Sequence, residues 1–308
     1  MTGAEFVPLS LPPLVIGVLV ALTCALPGNF LLLRRQALIG DAISHVILPG
    51  IVAGFLITGL VATGPMLLGA GAAALLAVLL IEVIRRFGRI EAGAAMGVVF
   101  TTLFAAGVLL IEVSDTSNVH LDVEHALYGN LESLIWLEAT GWASLIDRQA
   151  LAGLPPELFR VAAVFVLVVL AVALFWRPLA IATFDEGYAA AIGLPVTALS
   201  LGLVIVSAVA AVAAFDAVGS IIVIAMFICP PAAARLVTDR LGAQVLWSMI
   251  FAAASAVVGF VLAGYGPLWL GMDNAVSAAG MIATVSGVIL AAAALWGGHR
   301  RPLNRAQA

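Results

Sequence analysis

Gly40-Asp41-Ala42-Ile43-Ser44-His45-Val46-Ile47-Leu48-Pro49-Gly50 sets an aspartate and a histidine four apart inside a run that otherwise reads as lipid-soluble helix. On a helix, positions i and i+4 share a face, so Asp41 and His45 can point together at one guest. A carboxylate oxygen and an imidazole nitrogen are a pair suited to a divalent first-row ion such as Mn, Fe or Zn. The plainer reading, a helix cap at Asp41 and a histidine packed on a neighbouring helix, suits an arbitrary soluble protein. Inside a bilayer, ionisable side chains are costly and are kept mainly where they line a pathway or bind something.

The rest of the chain supplies that bilayer context. Its 308 residues are 64% hydrophobic and only 10% charged, with a mean hydropathy of +1.20. Such a composition excludes a soluble domain and points to an all-α polytopic membrane protein, one transmembrane domain over residues 1–308. All 13 basic residues are arginine. Without a lysine there is no GxxxxGK[ST] phosphate loop, so any ATP hydrolysis must come from another subunit. The net charge of −4 and the lack of a basic patch leave no surface for nucleic acid. Cys24 and Cys229 lie far apart in apolar runs and read as packing residues rather than a disulfide or thiolate cluster. Met1 to Ser10 lacks the basic start and small-residue cleavage site of a secretory signal, so the first apolar run is expected to stay as a span.

About 20 apolar residues cross a bilayer core as helix, and nine stretches qualify: Leu11 to Leu33, Asp41 to Leu60, Pro65 to Ile84, Ala92 to Ile111, Leu158 to Trp176, Val196 to Ala214, Val218 to Leu236, Val245 to Gly264 and Ala275 to Trp296. Alternate connections hold Arg34 and Arg35, then Arg85, Arg86 and Arg89, then Arg177, then Arg235 and Arg240, and finally Arg300, Arg301 and Arg305. Only Arg148 and Arg160 fall on the other side, so the positive-inside rule puts the N-terminus outside and the C-terminus inside. The longest external connection, 112–157, carries Asp115, Asp122, Glu124, Glu132, Glu138 and Asp147 with His120 and His125 among them. An acidic mouth concentrates cations; a solvated loop explains the same residues. Within this connection Leu131 to Leu145 is too polar to span and reads as an interfacial helix, its Trp136 and Trp142 suited to a membrane surface.

Pro27-Gly28-Asn29 is expected to interrupt the first span, as a packing kink or as a broken helix lining a cavity. Counted from Arg35, His45 lies roughly 15 Å along a helix, near mid-membrane. In the connection Thr183 to Pro195, Thr183 and Glu186 have capping-box spacing, and Gly193 with Pro195 is a stop signal. A short surface helix between two spans follows, with small residues at Ala189, Ala190 and Ala191. Asp216 reads as a cap for the span after it, and Pro230-Pro231 as a bend, whether gate or fit.

These residues together resemble the permease subunits of metal-chelate type ABC importers for manganese, zinc or iron(II), over nearly the whole chain. The resemblance is carried by Leu33-Arg34-Arg35 followed by the GDA-x-SH-x-x-LPG pattern of Gly40 to Gly50. Further matches are Gly97 to Phe100, His120-Leu121-Asp122 to Gly129, Phe184-Asp185 to Leu194, and Phe215-Asp216-Ala217-Val218-Gly219 to Pro230-Pro231-Ala232. Gly271-Met272-Asp273-Asn274 departs from the Pro-[ST]-Gly turn expected there. The resemblance implies a type II importer-like permease in the bacterial cytoplasmic (inner) membrane, paired with a second copy or a homologue and surrounded by lipid. A cytoplasmic ATPase would dock beneath each copy, and an extracytoplasmic metal-binding protein would deliver the ion. No cofactor would be held permanently, the metal being cargo and ATP being used by the partner. Asp41 and His45 would then contact the metal. The segment 183–194 would be the coupling helix, with Phe184, Asp185, Glu186, Ala191 and Gly193 facing the ATPase.

Two other classes fit less well. A self-sufficient secondary carrier calls for several intramembrane carboxylates and inverted repeats, whereas Asp41, Glu82, Glu112 and Asp216 are the only candidates and no repeat is visible. An intramembrane metalloprotease needs an H-E-x-x-H helix, which is absent. A serine protease needs a serine facing a histidine, and Ser44 and His45, being adjacent, do not share a helix face.

Overall fold

The computed structural model describes residues 3–59, 63–113, 131–269, 271 and 276–297. Helices α1 (Gly3–Leu9), α2 (Leu11–Leu33), α3 (Ile39–Thr58), α4 (Thr63–Gly88) and α5 (Ala92–Val113) form the first part of the chain. Then come α6 (Arg148–Ala152), α7 (Pro156–Leu174), α8 (Trp176–Phe184), α9 (Glu186–Ala191), α10 (Val196–Val218), α11 (Ser220–Val237), α12 (Leu241–Trp269) and α13 (Ala278–Gly297). Among the described residues, nine helical stretches are long and apolar enough to cross a membrane. They match the nine expected spans, most ends differing by a few residues because helix termini follow caps rather than hydropathy.

The caps are local. Prolines 12 and 13 open α2, where a missing N–H costs nothing. Gly59, at φ 65°, closes α3 and donates its N–H to Phe55 O at 2.7 Å. Buried Ala, Val and Ile along α2 make it the hub of one bundle, packed against α7, α10, α11 and α12. Helix α3 lies against α4 and α5 instead and touches the bundle through α10 and α11. The α3–α4 seam is backbone on backbone: a Cβ on Gly50 would stand 2.6 Å from Gly69 O, and one on Gly54 2.6 Å from Pro65 O. Small residues at such spacing let apolar helices pack by van der Waals contact where lipid offers no hydrophobic drive.

Three expectations are corrected here. Pro27 does not interrupt the first span, since α2 is continuous from Leu11 to Leu33. Its Pro-Gly-Asn segment is a packing surface: Gly28 faces the carbonyl of Phe227 with no room for a side chain. Asn29 donates to Ala25 O at 2.8 Å and Ser248 Oγ at 2.6 Å and accepts from Gln244 Nε2 at 3.3 Å, all fully buried. Leu131 to Leu145 is not an interfacial helix but two 3₁₀ turns, Leu131–Ser133 and Trp142–Leu145. Trp136 does not face a membrane surface: it is 1% exposed, packed with Val7, Ala139 and Ala150, and its indole N–H donates to Ala150 O at 2.6 Å. Trp142 is exposed and stacks on Phe6. Asp216 does not cap the following helix; it lies inside α10, and the cap position of α11 is Gly219.

Candidate functional site

Asp41 is the third residue of α3 and His45 lies one turn further on. The turn between α2 and α3 is not helical, so His45 stands about 9 Å along α3 from its start, not the 15 Å expected by counting from Arg35. Both side chains are about one-third exposed, with His45 Nε2 3.4 Å from Asp41 Oδ1. The imidazole is fixed by two rings of α5, stacked at 5.4 Å on Phe100 and edge-on at 5.8 Å to Phe104. Phe100 ends the Gly97-Val98-Val99-Phe100 run singled out in the sequence, though no side-chain role was assigned to it there.

A separation of 3.4 Å is long for an N–H···O hydrogen bond, whose usual limit is about 3.2 Å. It equals the bite of one tetrahedral ion: two bonds of ~2.1 Å at the tetrahedral angle span ~3.4 Å. Among the described residues no group of three or more His, Cys, Asp and Glu side chains could hold a metal. The pair therefore offers two donors and leaves the remaining positions to water or to another chain. Two cavities open along α3 nearby, and neither is lined by Asp41 or His45. One, of about 480 Å³, is lined by Gln36, Ile39, Glu82, Met96 and Glu186 and begins just before Asp41. The other, an apolar groove of about 620 Å³, begins at Val46 and follows Pro49, Gly50 and Gly54 along α3.

Within the segment 183–194 the helix is α9, Glu186–Ala191 only, and its cap differs from the expected one. Asp185, not Thr183, is the N-cap: its backbone is extended and its carboxylate accepts from Tyr188 N–H at 2.8 Å. Thr183 belongs to α8, where its hydroxyl bonds back to Leu179 O at 2.6 Å. At the other end Leu194 N–H reaches Ala189 O and Gly193 N–H reaches Ala190 O, both at 3.0 Å, closing the helix around Gly193 at φ 83°. Ala189 is buried, whereas Phe184, Tyr188 and Ile192 are each about half exposed and Asp185, Glu186 and Ala191 are exposed too. Helix α9 and the residues flanking it thus expose Phe184, Tyr188 and Ile192 together with Asp185 and Glu186.

Asp216 pairs with Arg160, whose other arm donates to Glu157 at 2.6 Å. This cluster is on α7 and α10, away from Asp41. His120 and His125 lie outside the described residues, as do Met272, Asp273 and Asn274 of the departing turn. Cys24 and Cys229 are unbridged and packed. Two features escaped the sequence reading. Asn29, Gln244 and Ser248 are polar residues within spans, a signal for interhelical hydrogen bonds. Arg34, counted above only as a topology marker, is partly buried and bonded to Thr183 and Ser200. Burial lowers its guanidinium below the ordinary arginine value, and the neighbouring Glu186 opposes that shift.

The sequence profile of the ABC 3 transport family matches residues 8–138 and 149–296. The chain is 40% identical to the manganese transport system membrane protein MntD of Bacillus subtilis, over 91% of this chain and 89% of that protein. It is 34% identical to the zinc transport system membrane protein TroD of Treponema pallidum, over 90% and 71% respectively. Among solved structures, PsaBC from Streptococcus pneumoniae in complex with Fab superposes with a TM-score of 0.70 at 27% identity, covering 92% of this chain and 90% of that one.

Proposed function

The chain belongs to the ABC 3 transport family, and from that premise we propose that it is the permease through which manganese, zinc or iron(II) enters the cell. It is a multi-pass membrane subunit of an ABC transporter, not the hydrolase, which in such a system is a separate polypeptide. The proposal adds the cargo, the residues that meet it, the partners and the orientation.

One observation supports the cargo best: Asp41 Oδ1 and His45 Nε2 stand 3.4 Å apart, the bite of a single ion. With two donors per chain, a second copy facing the first brings two carboxylates and two imidazoles to one pathway, enough for a four-ligand or water-completed site. Asp41 supplies charge and a hard oxygen. His45, neutral when it binds, supplies a borderline nitrogen whose ring cannot swing away from Phe100 and Phe104. A conducting site must also release its ion, and a half-open pair with no third His, Cys, Asp or Glu beside it among the described residues suits release.

The remaining parts follow the same logic. Arginine clusters at alternate connections favour an N-terminus outside the bacterial cytoplasmic membrane and a C-terminus inside. That places α9, with Phe184, Asp185, Glu186, Ala191 and Gly193, in the cytoplasm as the docking element for the ATPase. An extracytoplasmic metal-binding protein would deliver the ion at the opposite end.

The test is isotope-traced uptake of Mn²⁺, Zn²⁺ and Fe²⁺ in cells expressing the permease with its ATPase and binding protein. Asp41→Ala and His45→Ala are each expected to lower uptake at least tenfold while the protein stays in the membrane. Wild-type uptake by both would mean that the pair is a helix-terminal charge and a packed ring, and that cargo passes elsewhere.

A further inference from the structure

Helix α2 ends in a turn built around two arginines. Gln36 N–H bonds to Leu31 O at 2.8 Å and Arg35 N–H to Leu32 O at 3.1 Å, with Arg35 held at φ 57°. That left-handed conformation is uncommon for a residue with a side chain, so the turn is specific rather than a slack connection. Five residues later α3 begins, and Asp41 lies in its first turn. Arg34, at the head of this turn, reaches two other elements. Its Nε donates to Thr183 Oγ1 at 3.1 Å and its Nη1 to Ser200 Oγ at 2.6 Å. Because the Thr183 hydroxyl hydrogen is already directed to Leu179 O, its oxygen is left to accept from Arg34.

Thr183 sits in the last turn of α8 and Ser200 in the second turn of α10. Helix α9 is strung between these two helices, and its first residue, Glu186, is the charge that acts on the Arg34 guanidinium. Arg34 Nη2 is buried without a partner. A cation kept only to mark membrane topology would stay in water; burying a charged donor is costly. The guanidinium therefore spans both shoulders of α9 from the turn that leads into α3. A planar fork suits this bridge, since it engages two acceptors on separate helices in one fixed geometry, which a lysine ammonium on a flexible stem does not.

We infer that Arg34 is a positioning residue that ties displacement of α9, once the ATPase is docked there, to the turn that carries Asp41 and His45. This rests on the importer reading above. When nucleotide-driven movement shifts α9, the ends of α8 and α10 shift with it, and Arg34 transmits the shift to the start of α3. Without Arg34 the ATPase still docks and hydrolyses ATP, but the metal-facing helix no longer follows.

The complete complex, reconstituted in liposomes with its ATPase and binding protein, provides the test when ATP hydrolysis and uptake of radiolabelled Mn²⁺ are measured on the same preparation. For Arg34→Met, hydrolysis is expected to remain within about twofold of wild type while Mn²⁺ moved per ATP falls about tenfold. Arg34→Lys should be intermediate. Ser200→Ala, a smaller change on a folded helix, should lower the ratio in the same direction. A merely structural arginine would lower both rates together, in proportion to the complex assembled, and leave the ratio unchanged; that result, or a ratio equal to wild type in both Arg34→Met and Ser200→Ala, overturns the inference. If the wild-type complex moves no Mn²⁺, Zn²⁺ or Fe²⁺ with ATP, the importer reading falls and Arg34 coupling falls with it. A coupled wild type with an equally coupled Arg34→Met removes the Arg34 inference alone.

Discussion

Asp41 stands where a helix N-terminus already favours a carboxylate, because the first amide N–H groups of α3 have no acceptor within the helix. That gives it two separable roles, helix stabiliser and metal donor, and one substitution tells them apart. The N-cap of α3 is Leu38, so what Asp41 gives the helix is charge–dipole attraction of only about 0.3–1 kcal/mol, and asparagine keeps its shape without the charge. Asp41→Asn should therefore leave the thermal midpoint of the purified permease nearly unchanged while raising the Mn²⁺ concentration for half-maximal uptake at least tenfold. An unchanged uptake curve would reduce Asp41 to a charge that steadies the first turn of α3. At His45 the sequence announced the donor but not its setting. That Phe100 and Phe104 lie one turn apart on α5 is legible, yet that α5 brings them against His45 depends on packing no local pattern encodes.

At the scale of elements, α9 is short, and its stability comes from its two ends rather than its length. Gly193 sits in the left-handed region, where a side chain costs about 1–2 kcal/mol. Gly193→Val is therefore expected to fray α9 and weaken recovery of the ATPase with the purified permease, while the spans remain helical by circular dichroism. Ala191→Trp, on the exposed side, should give the same loss of association by bulk alone, without fraying. Normal ATPase recovery and transport in both would show that docking occurs elsewhere. Between α2 and α12, Asn29 joins Ser248 and Gln244 where all three side chains are fully buried. Asn29→Leu removes two interhelical hydrogen bonds and leaves Gln244 Nε2 buried without a partner, while Ser248 Oγ keeps its bond to Val245 O, a loss of about 1–3 kcal/mol. The measurement is a lowered thermal midpoint in detergent, and an unchanged or raised midpoint would mean that the trio adds nothing to stability.

For the whole molecule, the nine spans were legible because each is a long apolar run, the strongest signal a membrane chain carries. What hydropathy could not supply was tertiary. Pro27 is an example: its missing N–H predicts a break, yet the surrounding bundle holds α2 helical through it. Trp136 is another, an aromatic residue near a span that reads as a surface anchor but is sealed into a small core with Val7 and Ala150. The Asp41–His45 pair was legible as a spacing, and its 3.4 Å bite was not. Division of labour follows from composition: with no lysine in the chain, the purified permease should hydrolyse no ATP until its ATPase is added. Steady phosphate release by the permease alone, scaling with its concentration through successive purification steps, would contradict this assignment.

The glycine seam between α3 and α4 has a mechanical consequence. Two helices touching backbone to backbone at Gly50, Gly54 and Gly69 have no side chains to slide or reseat, so they tilt together as a single stiff beam. Driven from the Arg35 turn, the beam has Asp41 and His45 near its driven end and Thr58 at its far tip. His45 lies about 9 Å from the start of α3 and Thr58 about 28 Å. A rotation that swings the tip by about 3 Å thus displaces the imidazole by only about 1 Å. Leverage of this kind lets the remote end of the helix pair swing wide while the two ligands keep their spacing, so that the entrance can change shape without loosening the grip on the ion.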